Sequence, residues 1–473
     1  MLLGLDFGTS SVKALLLSIE GAVLAEASQP YPVDTPQPNW AETDPQAWWN
    51  AAAIAVRSIA QGQSVQAIGL SGQMHGVVLA TATGAPLRPA ILWADTRSHP
   101  AIATYQQLDL EMRRRLANPI AAGMAGTSLL WLRDREPEIY RAARWALQPK
   151  DWIRLRLTGI AAAEPSDASA TLLYDLPSDR WAEDIAAALN LRFDWLAPIA
   201  PSSQIAGHLT SEAAELFNLP AGIPVAAGAG DTAAALVGSG LTESGLAQLT
   251  IGTAAQIAAI RSQPAIDLQT GTHLFRSALP QQWYSLAAMQ NAGLALEWVR
   301  QILGYSWPQI YAEAFAIEPG CAGLTFLPYL TGERTPHLDP QIRGSWMGLS
   351  LVHTRAHLMR SSLEGVAFAI RQGLDALRST GIAIESLRLA GGGSLEPQWR
   401  QLLADVLQVP LHSMSLSAAS AQGAARLAGM AIGLEFNAPQ IAQATVPRSI
   451  ARLEAAYQRF CQLYPRLAGF RST

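Results

Sequence analysis

The sequence predicts an α/β protein of two similar domains, each built on a β-hairpin, facing one another across a cleft. Three observations carry this. The chain repeats itself: Leu246–Ile260 reads as strand, Gly252-Thr253-Ala254 turn, strand, and matches Leu3–Leu17 around Gly8-Thr9-Ser10, about 244 positions earlier. A period of half the chain signals duplication of a whole domain rather than a solenoid. The opening segments form an antiparallel meander, not a βαβ start. Finally, 473 residues of which 49% are hydrophobic and 15% charged can bury more than one core.

Taken in order, Leu2–Leu5 and Val12–Leu17 are apolar strands around the turn Asp6–Ser11, and Glu20-Gly21 turns into Ala22–Ser28. Asp44-Pro45 reads as N-cap and first helical residue, opening a helix through Trp48, Ala52 and Val56. Val65–Leu70 is a strand ending at Ser71-Gly72-Gln73-Met74-His75-Gly76, and Val77–Ala80 and Pro89–Trp93 follow. From about 98 to 220 the pattern is mainly helical. Ile223–Ala227 is a buried strand leading to Gly228-Ala229-Gly230-Asp231 and a helix of small residues. The Gly/Ser-rich stretch near 237–246 divides the chain into domains 1–238 and 239–473. Beyond it, strand Leu387–Ala390 runs into Gly391-Gly392-Gly393, then a helix with Trp399, Leu402, Leu403 and Val406 on one face. A last helix, about 449–464, carries Leu453, Tyr457, Phe460, Cys461 and Tyr464 at 3–4 spacing and packs back on the body, which makes Cys461 a core residue.

Composition excludes several functions. A net charge of −4 leaves no basic excess to neutralise nucleic-acid phosphates. Lys13 and Lys150 are the only lysines, so neither a polybasic membrane tether nor a Walker A loop exists. Cys321 and Cys461 form no zinc-type spacing. No apolar run reaches the roughly 18–20 residues of a membrane helix, and Met1 leads into no signal-type segment. A reducing, cytoplasmic setting is the expectation.

Chemistry is carried by a few short segments. A Gly-Thr-Ser turn between strands offers successive backbone N–H groups and hydroxyls to an anion, and it also serves as a plain steric turn. Two copies at matching positions, Gly8-Thr9-Ser10 and Gly252-Thr253, suit a polyphosphate gripped from both sides of a cleft. Asp6 precedes the first turn where Thr250 precedes the second, and one carboxylate suits Mg²⁺ held through water beside phosphates. Lys13 reads either as a phosphate contact or as a surface lysine. Asp231, at the end of a strand, reads either as an N-cap or as a base that orients and deprotonates an attacking hydroxyl. The Met74-His75 turn, flanked by glycines, allows close approach of a small polar ligand. Gly391–Gly393 suits either a nucleotide or tight strand–helix packing, and Trp93 is a candidate for stacking on a sugar.

These segments together resemble the FGGY carbohydrate kinases, and within them the xylulokinase group, along essentially the whole chain. The markers are Gly4-Leu5-Asp6-Phe7-Gly8-Thr9-Ser10-Ser11-Val12-Lys13, Gly72–Gly76, Ile91-Leu92-Trp93-Ala94-Asp95-Thr96-Arg97, Gly228–Asp231, Gly332-Glu333-Arg334-Thr335-Pro336-His337 and Leu389–Gly393. The Asp-x-Gly-Thr piece is shared with actin, hexokinases and heat-shock chaperones, whereas Gln-Met-His-Gly is much more specific. The resemblance implies two ribonuclease-H-like domains flanking a catalytic cleft, with sugar on the first and Mg-ATP largely on the second. It implies transfer from ATP to the 5-hydroxyl of a ketopentose, D-xylulose first, with Asp231 as base and Asp6 supporting Mg²⁺. Met74, His75, Trp93, Asp95, Asp231 and Thr232 would serve the sugar. Gly8, Thr9, Ser10, Lys13, Gly252 and Thr253 would face phosphates, and Gly391, Gly392 and Gly393 the adenosine. D-Ribulose or another ketose or polyol is the alternative substrate, a non-catalytic sugar sensor or an actin-like ATPase the alternative class, and a homodimer stays open as an assembly. Three positions depart from the family pattern: Thr127-Ser128 replaces Pro-Lys before Leu129-Leu130-Trp131, Gln422 stands in the usual Ala-Leu-Gly-Ala-Ala, and Thr232 stands where Asn often follows the Asp.

Overall fold

The structure is a computed structural model and describes residues 1–394, 396–414, 417–439 and 441–469. Its first half is organised by a mixed sheet of β1 (Leu2–Phe7), β2 (Ser11–Leu17), β3 (Val23–Pro30), β4 (Ala67–Gly72), β5 (Ile205–His208) and β6 (Pro224–Ala226). Their spatial order is β5-β6-β4-β1-β2-β3, with Ala229–Gly230 also pairing with β4. The second half repeats the plan with β7 (Ala247–Ile251), β8 (Ala255–Arg261), β9 (His273–Arg276), β10 (Trp283–Met289), β11 (Leu387–Ala390), β12 (Leu411–Met414) and β13 (Ile441–Thr445), in the order β9-β10-β8-β7-β11-β12-β13. In both sheets a hairpin (β1–β2, β7–β8) lies beside a strand parallel to its first member (β4, β11). The duplication visible in the sequence is therefore a duplication of topology. Both turns stand at the carboxyl end of a central strand, where α/β ligand crevices open.

Helices α1 (Pro45–Ala60), α2 (Pro149–Thr158), α3 (Pro165–Ala168), α4 (Asp231–Gly238), α5 (Gly293–Ile302), α6 (Arg355–Ser379) and α7 (Ala419–Ala431) cover the sheets. Asp44 caps α1 through its carboxylate, accepting from the Gln46 N–H at 2.9 Å, and Trp48, Ala52 and Val56 bury that helix against the first sheet. The two helices nearest the cleft are exchanged between halves. Ala421, Ala425 and Ala428 of α7 pack on Leu2, Leu15, Ala67 and Ala226 of the first sheet. Ala233, Leu236 and Val237 of α4 pack with Ala258, Ile260, Tyr284 and Leu286 of the second. Glycine lets them approach this closely: a Cβ on Gly423 would lie 1.8 Å from the Ala234 carbonyl oxygen, and one on Gly69 1.8 Å from that of Ala424. The alanine- and glycine-rich composition of both helices is thus a packing requirement.

Two stretches differ from the pattern expected of them. The 98–220 region is mainly helical but also holds β5, Trp145–Leu147 and the small hairpin Tyr174–Asp175/Arg180–Trp181. These strands are two to four residues long, too short to show a period of two. The last helix is two, Ala451–Cys461 and Leu463–Leu467, with Pro465 in the first turn of the second. Leu453, Tyr457 and Phe460 pack into the second core as their spacing predicts, and Cys461 lies half-buried against it.

Candidate active site

The first turn follows from the β1–β2 register, which pairs Asp6 with Lys13 and Phe7 with Val12 and leaves Gly8–Ser10 at the tip. The Gly8 N–H donates to the Ser11 carbonyl at 3.1 Å, and the Gly8 carbonyl accepts from Gln73 Nε2 at 3.2 Å and from the Tyr31 hydroxyl. Asp6 is half-buried and accepts from Ser71 Oγ at 2.9 Å. Burial raises its pKa, against the Ser71 hydroxyl and the Lys13 charge, which lower it. Lys13 itself is exposed. Trp93 is half in solvent and donates from Nε1 to Thr9 Oγ1 at 2.9 Å, which puts its ring at the rim of this turn.

At the end of β4 the chain turns through His75, whose φ of 71° is uncommon for a side-chain-bearing residue and sits at the candidate site. Its Nδ1 lies 2.9 Å from the Ala170 carbonyl. A carbonyl only accepts, so Nδ1 carries the proton. Burial lowers the His75 pKa to about 4, against the Ala170 bond, with Arg334 lowering it further, so the ring is neutral and Nε2 presents a lone pair. Phe275 stands 6.1 Å from the His75 ring and stacks on His273 at 5.5 Å. His273, held to about 3 by burial and then by His75 and Arg334, donates from Nδ1 to Asn118 Oδ1 at 3.2 Å. Met74 packs under Gly230, where a Cβ would lie 2.9 Å from its Cγ, and its sulfur accepts from the Tyr284 hydroxyl at 3.7 Å.

Asp231 is the first residue of α4 and half-buried. Its Oδ1 accepts from the Thr232 N–H at 2.5 Å and the Thr232 hydroxyl at 3.2 Å, and its own carbonyl accepts from Ser420 Oγ of α7 at 3.1 Å. Burial, then the charge of Asp6, pushes its carboxyl up to about 7 against those Thr232 bonds. A carboxylate tuned near neutrality and facing a second acid is suited to proton transfer. The structure thus brings Asp6, Gly8–Ser10, Ser71, Met74, His75, Trp93, Asp231 and Thr232 into one cluster at the carboxyl end of the first sheet.

A second cluster forms at the matching end of the second sheet. The Gly252 N–H donates to the Ala254 carbonyl at 2.9 Å, and its carbonyl accepts from Gly293 N at the start of α5 at 3.0 Å. Gly252, Thr253 and Gly392 are exposed, and a Cβ at Gly252 or Gly392 would meet nothing closer than 4.0 Å. Nothing in the protein requires glycine at these two positions. Gly391 and Gly393 are different: a Cβ would lie 2.3 Å from the Ile251 carbonyl oxygen and 2.6 Å from Ile251 Cγ2, and Gly391 has φ +85°. Packing against Ile251 accounts for both, so of the three glycines Gly392 is the one with open space where a Cβ would stand.

Asp95 does not stand where a sugar contact was expected. It is buried, and both oxygens are taken by Ala41 N (2.7 Å), Arg97 N (2.9 Å) and Arg97 Nη2 (2.6 Å). It holds Arg97 against Glu42 and over Trp40, a structural cluster behind Trp93. Conversely, sequence reasoning missed Ser71, Phe275, His273 and the role of Arg334. Arg334 is exposed, yet its charge reaches both histidines, and its backbone N–H donates to Glu333, which burial pushes up to about 7. The Gly332–His337 motif marked that loop without indicating what it faces; nothing marked His273.

Among the described residues no group of three or more His, Cys, Asp and Glu could cage a metal. Mg²⁺ commonly takes one or two carboxylates and completes its shell with water and phosphate oxygens. Asp6, with one oxygen on Ser71 and Asp231 facing it, fits that donor set.

Two duplicated domains, each with a Gly-Thr turn at the end of a central strand, fit the class of ATP-dependent carbohydrate kinases. The chain belongs to the FGGY family of carbohydrate kinases: the family's N-terminal domain model matches residues 1–238 and its C-terminal domain model residues 247–432. It is 36% identical over 476 residues to the xylulose kinase of Escherichia coli K12, covering 100% of this chain and 98% of the relative. Crystal structures of a xyloylose kinase from Brucella ovis (TM-score 0.95, 36% identity, 99% of both chains) and of xylulose kinase from Rhodospirillum rubrum (TM-score 0.93, 30% identity, 99% of both chains) superpose along its whole length. No described helix is long and apolar enough to cross a membrane.

Proposed function

We propose that the protein transfers the γ-phosphoryl group of ATP to the 5-hydroxyl of D-xylulose, giving D-xylulose 5-phosphate and ADP. The observation that carries this is the place of Asp231 at the start of α4, next to Gly230, which packs on Met74 of the His75 turn; burial and Asp6 push its carboxyl up to about 7. His75 Nε2 accepts from a sugar hydroxyl, Trp93 borders the sugar, and Asp231 accepts the proton of the attacking 5-hydroxyl. Phosphoryl transfer requires little covalent help from the protein, so positioning and charge carry the rate. The Gly8–Ser10 and Gly252–Thr253 turns cradle phosphate oxygens, with Lys13 near enough along β2 to add positive charge. Gly392 admits the nucleotide's adenosine portion. Asp6 would hold Mg²⁺ through water, and the ion would supply positive charge to the phosphates. The two domains meet near residue 238, with α4 and α7 as the exchanged pair between them. Both cysteines are free thiols, which suits a cytoplasmic enzyme. ADP release measured with D-xylulose, D-ribulose, glycerol and gluconate tests the substrate class. D-Xylulose should give the highest kcat/KM; a preference for glycerol or gluconate would overturn the reading.

Thr232 sets how sharply the ketose is chosen. Its single hydroxyl is spent on Asp231, so it brings no free donor to the sugar. An Asn amide has a donor and an acceptor and reaches further. One hydrogen bond to a neutral hydroxyl is worth roughly 0.5–1.5 kcal/mol, or about 2–13-fold in kcat/KM. Thr232→Asn is expected to raise kcat/KM for D-xylulose by that factor relative to D-ribulose. Equal loss on both ketoses would make Thr232 a support of Asp231 alone.

A further inference from the structure

Beneath the site, α2 and α3 enclose a buried cluster of charge that the proposed reaction does not use. Lys150 is fully buried, with its Nζ 2.7 Å from Asp151, 2.9 Å from Asp167 and 3.1 Å from Glu164. Arg154, also fully buried, pairs with Asp151 at 2.9 Å and donates to the carbonyls of Ala227 and Ala162. Three carboxylates face two cations. Burial lowers the Lys150 pKa, but the three carboxylates more than offset it, so the ammonium stays charged; burial raises that of Asp167. Burying such a network is costly, and stability alone is a weak reason to build one.

Its hydrogen bonds lead to the site. Glu164 caps α3, accepting from Ser166 N at 2.8 Å and Asp167 N at 2.9 Å. Its Oε1 also accepts from Ser166 Oγ at 2.8 Å, and Oε2 from Ser202 Oγ at 2.8 Å. The Ser166 hydroxyl, its proton given to Glu164, accepts the N–H of Gly230 at 3.0 Å, the residue immediately before Asp231. Ala170, just beyond α3, accepts from His75. One short segment thus touches the backbone of Gly230, next to the base, and the His75 imidazole.

We propose that Ser166 is a positioning residue for Asp231, its hydroxyl fixed by the Lys150–Glu164 pair so that it anchors Gly230 and sets where the α4 carboxylate points. The proposal rests on Asp231 being the base. Ser202 supplies the control, because its hydroxyl donates to the other oxygen of the same buried carboxylate, while the Gly230 N–H goes to Ser166. Ser166→Ala, Ser202→Ala and Asp231→Asn are compared by kcat, by D-xylulose affinity in calorimetry and by Tm. A misplacement of about 1 Å costs up to about 100-fold in rate, so Ser166→Ala should lower kcat about 10- to 100-fold with D-xylulose affinity changed less than about threefold. Ser202→Ala should lower Tm about as much as Ser166→Ala does and keep kcat within about twofold. Ser166→Thr, which keeps the hydroxyl, should recover part of the lost kcat. If Ser166→Ala does not fold, Ser166→Cys, with a poorer acceptor of nearly the same volume, carries the same expectation. Equal kcat for the two alanine variants, or loss of kcat and affinity together in Ser166→Ala, overturns the positioning role. Near-normal turnover in Asp231→Asn overturns the base instead, whatever Ser166 does.

Discussion

Asp231→Asn should lower kcat by at least ~100-fold while leaving D-xylulose binding nearly intact, because it keeps the shape of the side chain and removes the acceptor of the proton. The same carboxyl fixes the pH dependence. With its pKa pushed up to about 7 by burial and by Asp6, Asp231 is protonated as the pH falls, so kcat/KM for the wild type should drop about tenfold per pH unit below about 7. The sign for stability runs the other way. A carboxyl that binds its proton more tightly folded than unfolded loses stability as pH rises from about 4 towards 7. Asp231→Asn should therefore melt no lower than wild type at pH 8, and loss of rate with an unchanged or higher Tm separates a chemical role from a structural one. A variant with near-wild-type kcat would remove Asp231 from the chemistry.

Gly252→Val should raise KM for ATP at least ~10-fold with a much smaller effect on D-xylulose. The protein leaves 4.0 Å of room around a Cβ at this position and the backbone is outside the left-handed region, so the fold tolerates a side chain. A branched side chain on the turn then obstructs what approaches from solvent, and the N–H groups there are suited to phosphate oxygens. Gly391→Val is the contrast: φ +85° and the Ile251 carbonyl 2.3 Å away predict a fall in Tm first. If Gly252→Val instead lowers Tm as much as Gly391→Val and weakens both substrates equally, the turn is steric and not a phosphate cradle.

The architecture was legible because duplication leaves a direct trace. The Leu3–Leu17 and Leu246–Ile260 segments repeat as β1–β2 and β7–β8, and the Asp44-Pro45 start of α1 carries its cap in two residues. Asp231, His75 and the two turns could be picked out as candidates because Gly and Asp at strand ends have a narrow set of physical uses, and the structure places all of them at the ends of central strands. What was not legible depends on tertiary contact. Asp95 sits in a motif beside Trp93, yet the chain leaves its strand at Ile91 and turns, the Asp95 N–H donating to the Leu92 carbonyl, which leaves Trp93 at the rim and Asp95 inward on Arg97. Gly391–Gly393 look alike in sequence, and only the position of Ile251 separates the two that pack from the one that is open. The exchange of α4 and α7 between sheets follows from close helix contact at Gly423, which a boundary drawn near residue 238 does not show.

The most direct test of the account is the position of phosphate on the product. D-Xylulose and Mg-ATP are incubated with the enzyme and the sugar product is examined by ³¹P and ¹³C NMR. The account predicts one phosphate ester, coupled to C5, formed in equal amount with ADP and lost with Asp231→Asn. Phosphate on another carbon, or ADP and inorganic phosphate released without an ester, would contradict it.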